Sequence, residues 1–512
     1  MGDSRGTTTE YDLAVVGGGI NGCGIAADAA GRGLKVLLVE QNDLASGTSS
    51  ASSKLIHGGL RYLEQYAFRL VKESLEEREI LLANAPHIVQ PLRFIVPHVP
   101  GMRARPLIRA GLFLYDHLAK RRRIPSSSSL DMARDPGARP LASRFSSGFS
   151  YWDCSVDDAR LVALVARQAA SRGAEIRTRT ELRHAIAESG MWRLSLAANN
   201  AAAPSATNCE VRARILVNAA GPWAGALART AIRRGNDQLA VPVRLVKGSH
   251  IVVPRIPGAD TAYLLQAPDR RVVFLLPFAD RFTLIGTTDV PYQGDPANVA
   301  ISADEEIYLL NVANGFLAEP LNSSDIVWRY AGVRPLYDDE STNPSAVTRD
   351  YKLALDASAH APPLLTVVGG KITTYRRLAE AAMQLIAPYS AKPLGQPWTA
   401  HATLPGGDIP GADFDAYAQV FIANYPQLPA AVLLSLLRRY GTCAGDVLGD
   451  ARTQADLGED VGGGLSLREI IYLRDHEWAR TPDDILWRRT KAALAIAPEH
   501  LDVARERIAH HL

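Results

Sequence analysis

Three patterns in the 512-residue chain predict a mixed α/β protein. The first is an N-terminal unit, Tyr11-Asp-Leu-Ala-Val-Val-Gly17-Gly18-Gly19-Ile20-Asn21-Gly22, followed by Val36-Leu-Leu-Val39 and Glu40. It reads as an apolar strand, a glycine turn, a helix, and a second apolar strand that ends in an acid. The second is a set of short alternating runs across residues 242–290, which predict an antiparallel sheet rather than further strand–helix–strand units. The third is helical periodicity from residue 411 onward, with few strand signals. Together they predict a Rossmann-like nucleotide domain, interrupted by an inserted antiparallel-sheet domain and followed by a helical C-terminal domain.

The N-terminal unit carries the first chemistry. Gly17, Gly19 and Gly22 fit the G-x-G-x-x-G spacing, in which successive glycines permit the tight turn, the approach of backbone to a pyrophosphate, and close helix–strand packing. The helix that follows turns its N–H donors and positive dipole end toward phosphate. Glu40 stands where an acid accepts hydrogen bonds from a ribose. The glycine spacing alone is weak, but the whole unit within about 30 residues predicts a dinucleotide site. It does not separate a flavin from a nicotinamide dinucleotide.

The remaining elements follow in order. Residues 1–10 are polar and lack an apolar stretch, so neither an ordered element nor a signal peptide is expected there. Residues 63–83 read as a polar helix ending before Pro86, and Pro91-Leu-Arg-Phe-Ile-Val-Pro97 as a strand. The serine run at 126–129 and the Ala/Asn run at 198–207 read as loops. Asp157-Asp158 opens a helix that stops at Gly173, with acids at its positive end. Ile215-Leu-Val-Asn-Ala-Ala220-Gly221-Pro222 is a strand meeting a glycine turn, with proline at the start of a helix. Leu364-Leu-Thr-Val-Val-Gly369-Gly370 repeats the strand-to-glycine pattern, and a helix is expected from Lys371 to Pro388. Residues 389–410, rich in proline and glycine, read as a linker. The expected nucleotide domain is therefore discontinuous (11–90, 150–240 and 330–388). The sheet domain takes 91–149 and 241–329, and the helical domain 411–512.

Composition narrows the functional classes. The length suits two to four domains. With 47% hydrophobic and 21% charged residues, the chain has the composition of an ordinary globular protein with a large core. A net charge of +2 gives no electrostatic footprint for nucleic acid. The four cysteines are scattered without a C-x-x-C, so neither a disulfide framework nor a metal site is expected. No apolar run is long enough to span a bilayer. Residues 103–123 carry Arg103, Arg105, Arg109, Lys120, Arg121, Arg122 and Arg123 against the single acid Asp116. Leu107, Ile108, Leu112, Leu114, Tyr115 and Leu118 form an apolar stripe at helical spacing. This pattern suits either an interfacial helix on anionic lipid or an amphipathic helix packed on the core.

Several segments resemble one family. They are Gly17-Gly-Gly-Ile-Asn-Gly22, Thr48-Ser-Ser-Ala-Ser-Ser-Lys54-Leu-Ile-His57-Gly-Gly-Leu-Arg61-Tyr62, Lys247-Gly-Ser-His250, Gly286-Thr-Thr-Asp289, Gly332-Val-Arg334-Pro335 and Gly369-Gly-Lys371-Ile-Thr-Thr-Tyr-Arg376. They resemble the aerobic, FAD-dependent glycerol-3-phosphate dehydrogenases. The resemblance runs from about residue 11 to Arg489 and includes Asp475-His-Glu-Trp478 in the helical domain. It implies a flavoprotein with an amino-acid-oxidase-like core and a helical C-terminal cap. The implied reaction oxidises sn-glycerol 3-phosphate to dihydroxyacetone phosphate and passes electrons from FAD to a membrane quinone. The implied location is the cytoplasm, peripheral on the inner face of the cytoplasmic membrane, and a homodimer is compatible with it. An oxygen-using glycerol-3-phosphate oxidase, or another flavoenzyme of the same fold, is the alternative enzyme. An FAD-binding protein that modifies RNA is a third reading, which the balanced charge disfavours.

That chemistry assigns expected roles. A phosphate dianion in a cleft calls for fixed cations, and arginine's planar fork matches phosphate bidentately. Arg334 is the leading candidate because Pro335 restricts its backbone to extended geometry. Arg61 and Arg349 are second candidates. Lys371, at a helix start where a cation is unfavourable for stability, is expected to steady substrate or the reduced flavin. His250 is the expected general base, since its ordinary pKa lies near working pH. His57 is the rival, favoured for contact with the flavin, and Tyr62 is expected in the same pocket. The resemblance places Gly17, Gly18, Gly19, Ile20, Asn21, Gly22, Glu40 and Gln41 at the dinucleotide, with Thr48, Ser49, Ser50, Ser53 and Lys54 beside them. It adds Gly58, Gly59, Leu60, Ala220, Gly221, Gly286, Thr287, Gly370, Thr373 and Thr374.

Overall fold

The computed structural model describes residues 9–199, 209–233, 242–338, 350–357 and 361–512. The candidate Arg349, residues 1–8 and most of the 198–207 run lie outside these described residues; Ala198 itself ends the strand Met191–Ala198.

The first sheet has nine strands. Thr9–Val16 lies at its centre, parallel to Val36–Val39 on one side and to Cys209–Asn218 on the other. Leu364–Val368 extends the sheet in parallel from Cys209–Asn218, reached by a long crossover that sets Thr366 opposite Asn218. Val36–Val39 and Leu364–Val368 are buried throughout, as parallel strands covered on both faces must be. The helices Ile20–Gly31, Asp158–Ser171 and Tyr375–Ile386 pack together over one face. An antiparallel pair, Thr180–Glu188 with Met191–Ala198, joins the same sheet beside Cys209–Asn218.

The glycine turn explains how helix and strand meet. Gly17 has φ +117, a region open to glycine but not to residues with a Cβ. A Cβ on Gly22 would overlap the Gly17 carbonyl oxygen, so the helix can sit this close only with hydrogen there.

The second sheet has ten strands and is mostly antiparallel. Val243–Pro254 pairs with Phe282–Gly286 and, from Val243 to Val252, with Trp328–Tyr337. Val89–Pro97 pairs with Ser147–Val156. The helix Ala303–Asn314 covers one face, held at its start by a reciprocal cap between Ser302 and Glu305. The other face carries Phe94, Tyr151, Leu264 and Phe274 toward the cavity.

Three sequence expectations change. Ser147–Val156 and Trp328–Tyr337 belong to the second sheet, so segments assigned to the nucleotide domain from 150 and from 330 begin in its neighbour. Local apolar patterning marks a strand but does not say which sheet it joins, which depends on partners distant in sequence. Ser128 and Ser129 lie in a strand, Ser128–Asp131, that pairs with Ser147–Val156 at an edge. Residues 389–410 are a packed strap rather than a linker. The Trp398 ring covers Gly31, the Gly395 N–H donates to the Arg32 carbonyl at 3.0 Å, and Leu404 is buried in the nucleotide-domain core. Its prolines and glycines shape a surface-following chain instead of loosening it.

The C-terminal domain builds a core of its own from the helices Phe414–Ala423, Ala430–Tyr440, Ala444–Leu448, Leu467–His476 and Leu501–Ala509. It docks on the nucleotide domain through Arg160 and Glu477, both fully buried. Removing one member of such a pair costs about 3–5 kcal/mol. Among the described residues, no helix is long and apolar enough to cross a membrane.

Candidate active site

One cavity of about 1150 Å³ runs between the two sheets. Its walls come from the glycine turn, the serine-rich loop, the second sheet and the Gly369-Gly370-Lys371 turn. At one end, Gly17, Gly19, Ile20 and Asn21 face Glu40 and Gln41. The Ile20 N–H donates to Ser49 Oγ at 3.0 Å, joining the helix start to the serine loop. Glu40 accepts the Gly18 N–H at 2.7 Å and the Asn42 N–H at 2.8 Å. Burial pushes its carboxyl pKa up, against the pull of these two donors. Asn21 Nδ2 donates to the Gly369 carbonyl at 3.1 Å, while its Oδ1 is buried without a hydrogen-bond partner. The two glycine turns are thus tied across the cavity, 348 residues apart in sequence.

The serine-rich loop is a scaffold as well as a wall. Thr48 Oγ1 donates to the Val333 carbonyl at 2.6 Å. Lys54, buried and with φ +57, places Nζ 2.9 Å from Asp158 Oδ1 and donates to the Ser50 carbonyl. Burial holds the Lys54 pKa below its ordinary value despite Asp158. Ser52 Oγ donates to Asp158 Oδ2 at 2.7 Å. Ser53 Oγ lies 2.9 Å from His250 Nε2.

Two cations, Arg334 and Lys371, line the same cavity. Arg334 projects from Trp328–Tyr337, where Nη1 donates to Asp289 Oδ1 at 2.9 Å and Nη2 to Thr287 Oγ1 at 3.1 Å. Gly248, in register opposite Gly332, leaves room for it: a Cβ there would stand 2.5 Å from Nη2. Lys371 Nζ sits 3.9 Å above the centre of the Tyr62 ring. Arg61, Leu60, Gly59 and His57 complete this wall.

His250 departs from expectation. It is 1% exposed and lies behind the wall, stacked on Tyr330 at 4.7 Å, with Ser53 between it and the cavity. Burial, then Arg334 and Lys54, drives its pKa well below the ordinary histidine value. Its Nδ1 has no hydrogen-bond partner.

Other expected contacts also fall one layer back. Gly18 turns its N–H to Glu40, and Gly22 packs on Gly17. The Gly58 N–H is taken by Tyr115 and Asp153. A Cβ on Gly286 would overlap the His250 ring, so its role is to make room. Thr373 and Thr374 are buried, with Thr373 Oγ1 accepting the His57 N–H at 3.2 Å. Thr287 does line the cavity, but its hydroxyl serves Arg334. Gly370, Ala220 and Gly221 are on the wall as expected.

Sequence reasoning missed several members. Asp158 anchors the serine loop, and Asp153 gathers Tyr115 and Arg78 into a buried cluster, with Arg78 Nη1 at 2.7 Å. Trp328, Tyr330 and Trp487 supply aromatic wall. Asp158 carries only a helix-start signal, and the contacts that bring these residues to the site are with segments distant in sequence.

Two family models cover most of the chain. The one described as FAD dependent oxidoreductase matches residues 12–376, and the one described as C-terminal domain of alpha-glycerophosphate oxidase matches residues 398–511. The chain is 53% identical over 488 residues to a glycerol-3-phosphate dehydrogenase of Pseudomonas aeruginosa, covering 95% of this chain and 93% of that one. It is 48% identical over 480 residues to a D-erythritol 1-phosphate dehydrogenase of Brucella abortus, covering 94% of each. A solved structure of a glycerol-3-phosphate dehydrogenase from Bacillus halodurans, complexed with FAD, superposes with TM-score 0.72 at 26% identity, over 98% of this chain and 94% of that one. Glycine oxidase from Geobacillus kaustophilus shares the fold, with TM-score 0.57 at 22% identity, over 75% of this chain and 99% of that one.

The cavity fits FAD on its own terms. The helix-start amides suit a diphosphate, Glu40 suits a ribose, and the volume exceeds what a small substrate needs. Bound FAD would be held by Gly17, Gly19, Ile20, Asn21, Glu40 and the serine loop. The chain belongs to the family of FAD-dependent glycerol-3-phosphate dehydrogenases.

Proposed function

We propose that the protein oxidises sn-glycerol 3-phosphate to dihydroxyacetone phosphate, with electrons leaving FAD for a membrane quinone. The observation that carries the reading is the convergence of Arg334, Lys371 and the Ser53–His250 pair on one cavity that also holds the dinucleotide turn. FAD, when bound, supplies the hydride acceptor. Arg334 and Lys371, with Arg61 beside them, receive the phosphate; Asp289 and Thr287 hold the Arg334 fork in place. As hydride leaves C2, the hydroxyl proton passes by way of Ser53 Oγ to His250 Nε2. Burial and the two nearby cations keep the imidazole neutral, which is the form that accepts a proton.

Anaerobic addition of glycerol 3-phosphate to the purified holoprotein tests this: the flavin absorbance bleaches, and persistent yellow colour overturns the reading. D-Erythritol 1-phosphate is the competing substrate, favoured by the near-equal identity to the Brucella relative. A higher kcat/KM for the four-carbon phosphate selects it. Peroxide released without quinone selects the oxidase alternative.

Membrane contact belongs to the same proposal. The helix Arg105–His117 turns Leu112 and Tyr115 inward and leaves Leu107 and Phe113 (56% exposed) outside. The turn Leu60–Gln65 packs against it and leads to Tyr66, 78% exposed, and Phe68. The apolar stripe read from sequence therefore divides between core and surface. Arg121 and Arg123 are engaged internally, donating to the Asp116 and Gly411 carbonyls. The paired change Leu107→Asp with Phe113→Asp is thus the clean probe. It removes cosedimentation with anionic vesicles if this face docks, and unchanged cosedimentation excludes the face.

A further inference from the structure

The cavity wall is not complete within the nucleotide and sheet domains. Trp487, Arg488 and Lys491 of the C-terminal domain line it alongside the glycine turn, Glu40 and the serine loop. Three junctions connect that domain to segments that face the dinucleotide.

The first is Arg489 on Asp43, at 2.8 Å with both side chains at most 1% exposed. Arg488 Nε reaches the same carboxylate at 2.6 Å. Asp43 lies three residues beyond Glu40, and the Ala45 N–H donates to the Gly18 carbonyl at 3.0 Å. The C-terminal domain therefore grips the loop that closes over the glycine turn.

The second is at the start of the helix Asp158–Ser171. Asp158 takes Lys54 and Ser52 of the serine loop, while its neighbour Asp157 takes Lys491 of the C-terminal domain. Two adjacent carboxylates thus hold the cofactor loop with one hand and the cap with the other. Lys491 has φ +57, which costs a non-glycine residue free energy and persists only where surrounding contacts enforce it.

The third is aromatic. Trp487 stacks on Trp328 at 4.9 Å, Trp328 lies 4.8 Å from Tyr330, and the Tyr330 hydroxyl donates to the Ser52 carbonyl at 2.8 Å.

We infer that the C-terminal domain is part of the FAD site: Trp487, Arg488 and Lys491 close its wall, and docking of the domain and binding of the dinucleotide stabilise each other. Two cations arrive with the domain on the cavity wall, each anchored by a carboxylate, Arg488 by Asp43 and Lys491 by Asp157. The coupling is reciprocal, so the factor by which the docked domain tightens FAD equals the factor by which FAD tightens docking.

The test uses the full chain, stripped of FAD and reloaded. Quenching of flavin fluorescence first establishes that the unmodified chain binds FAD, which separates a failure of the cofactor assignment from a failure of the coupling. Lys491→Met and Trp487→Leu then weaken FAD binding at least tenfold, and Lys491→Arg restores most of it. Hydrogen exchange across residues 413–512 of the unmodified chain slows when FAD is added. FAD affinity within twofold of the unmodified chain in both variants overturns the inference. So does hydrogen exchange in 413–512 that FAD leaves unchanged, a measurement that decides the matter even if a variant fails to fold.

Discussion

Replacement of Arg334 by alanine separates the substrate-binding wall from the cofactor wall. The guanidinium donates to Asp289 Oδ1 at 2.9 Å, Thr287 Oγ1 at 3.1 Å and the Thr288 carbonyl at 3.3 Å. A hydrogen bond to a charged group contributes about 1.5–3 kcal/mol. A bidentate grip on phosphate, two such bonds, is therefore worth about 3–6 kcal/mol, or roughly 10²–10⁴-fold in substrate affinity. The substitution also removes the cation beside Asp289, which is 9% exposed on its side chain. The Arg334 side chain itself is 23% exposed, so the stability cost stays near the low end for a broken pair, about 1–2 kcal/mol. Adding Asp289→Ala removes that stability cost without restoring affinity, so the double variant distinguishes lost structure from lost binding. The assay is the anaerobic reductive half-reaction by stopped flow, giving substrate Kd and the rate of flavin bleaching. FAD content, read from the flavin-to-protein absorbance ratio, stays at the unmodified level because the glycine turn and Glu40 lie elsewhere on the wall. Substrate affinity within threefold of the unmodified enzyme refutes the phosphate role, and loss of FAD refutes the assignment of walls.

Three further outcomes are expected. Ser53→Ala, measured on FAD-saturated protein, slows flavin reduction about 10²–10⁴-fold, the range for one proton-transfer group; an unaltered rate removes Ser53 from the proton path. His87 is buried between Gly406 and Gly441 with neither ring nitrogen hydrogen-bonded, and burial, then Arg160, pushes its pKa down to about 3. The unfolded imidazole takes up a proton below its ordinary 6.5 while the folded one does not, so stability present above pH 6.5 is lost as pH falls toward 3. Between pH 6.5 and 5.0 the unmodified chain should lose about 2 kcal/mol more than His87→Leu in urea unfolding, and parallel pH profiles would contradict this. Gly22→Ala drives a methyl group into the Gly17 carbonyl and should lower FAD affinity more than tenfold, measured by flavin fluorescence; normal affinity would mean that the helix can retreat without disturbing the turn.

The legible part of the site is local. Gly17, Gly22 and Glu40 act within one strand–turn–helix–strand unit, so their spacing reports their roles directly. Arg334 was legible because Pro335 and the neighbouring glycines mark an extended, crowded backbone. The layer behind the wall was less so. Nothing in the sequence around His250 tells that Gly286 leaves space for its ring or that Ser53 stands between it and the cavity. Prolines and glycines mark irregular chain whether it is loose or packed, so they do not reveal that the strap at 389–410 is held by its own Trp398 over Gly31.

By itself the sequence determined the order of elements, the dinucleotide turn and the residue types available for phosphate and proton chemistry, because these rest on short-range periodicity and backbone conformation. Tertiary structure alone decided which sheet Ser147–Val156 and Trp328–Tyr337 join, that Lys54 meets Asp158, and that Lys491 of the last domain reaches Asp157. Those pairings depend on desolvated contacts between segments about 100 to 330 residues apart, where the free energy lies in mutual burial and charge compensation rather than in any local pattern.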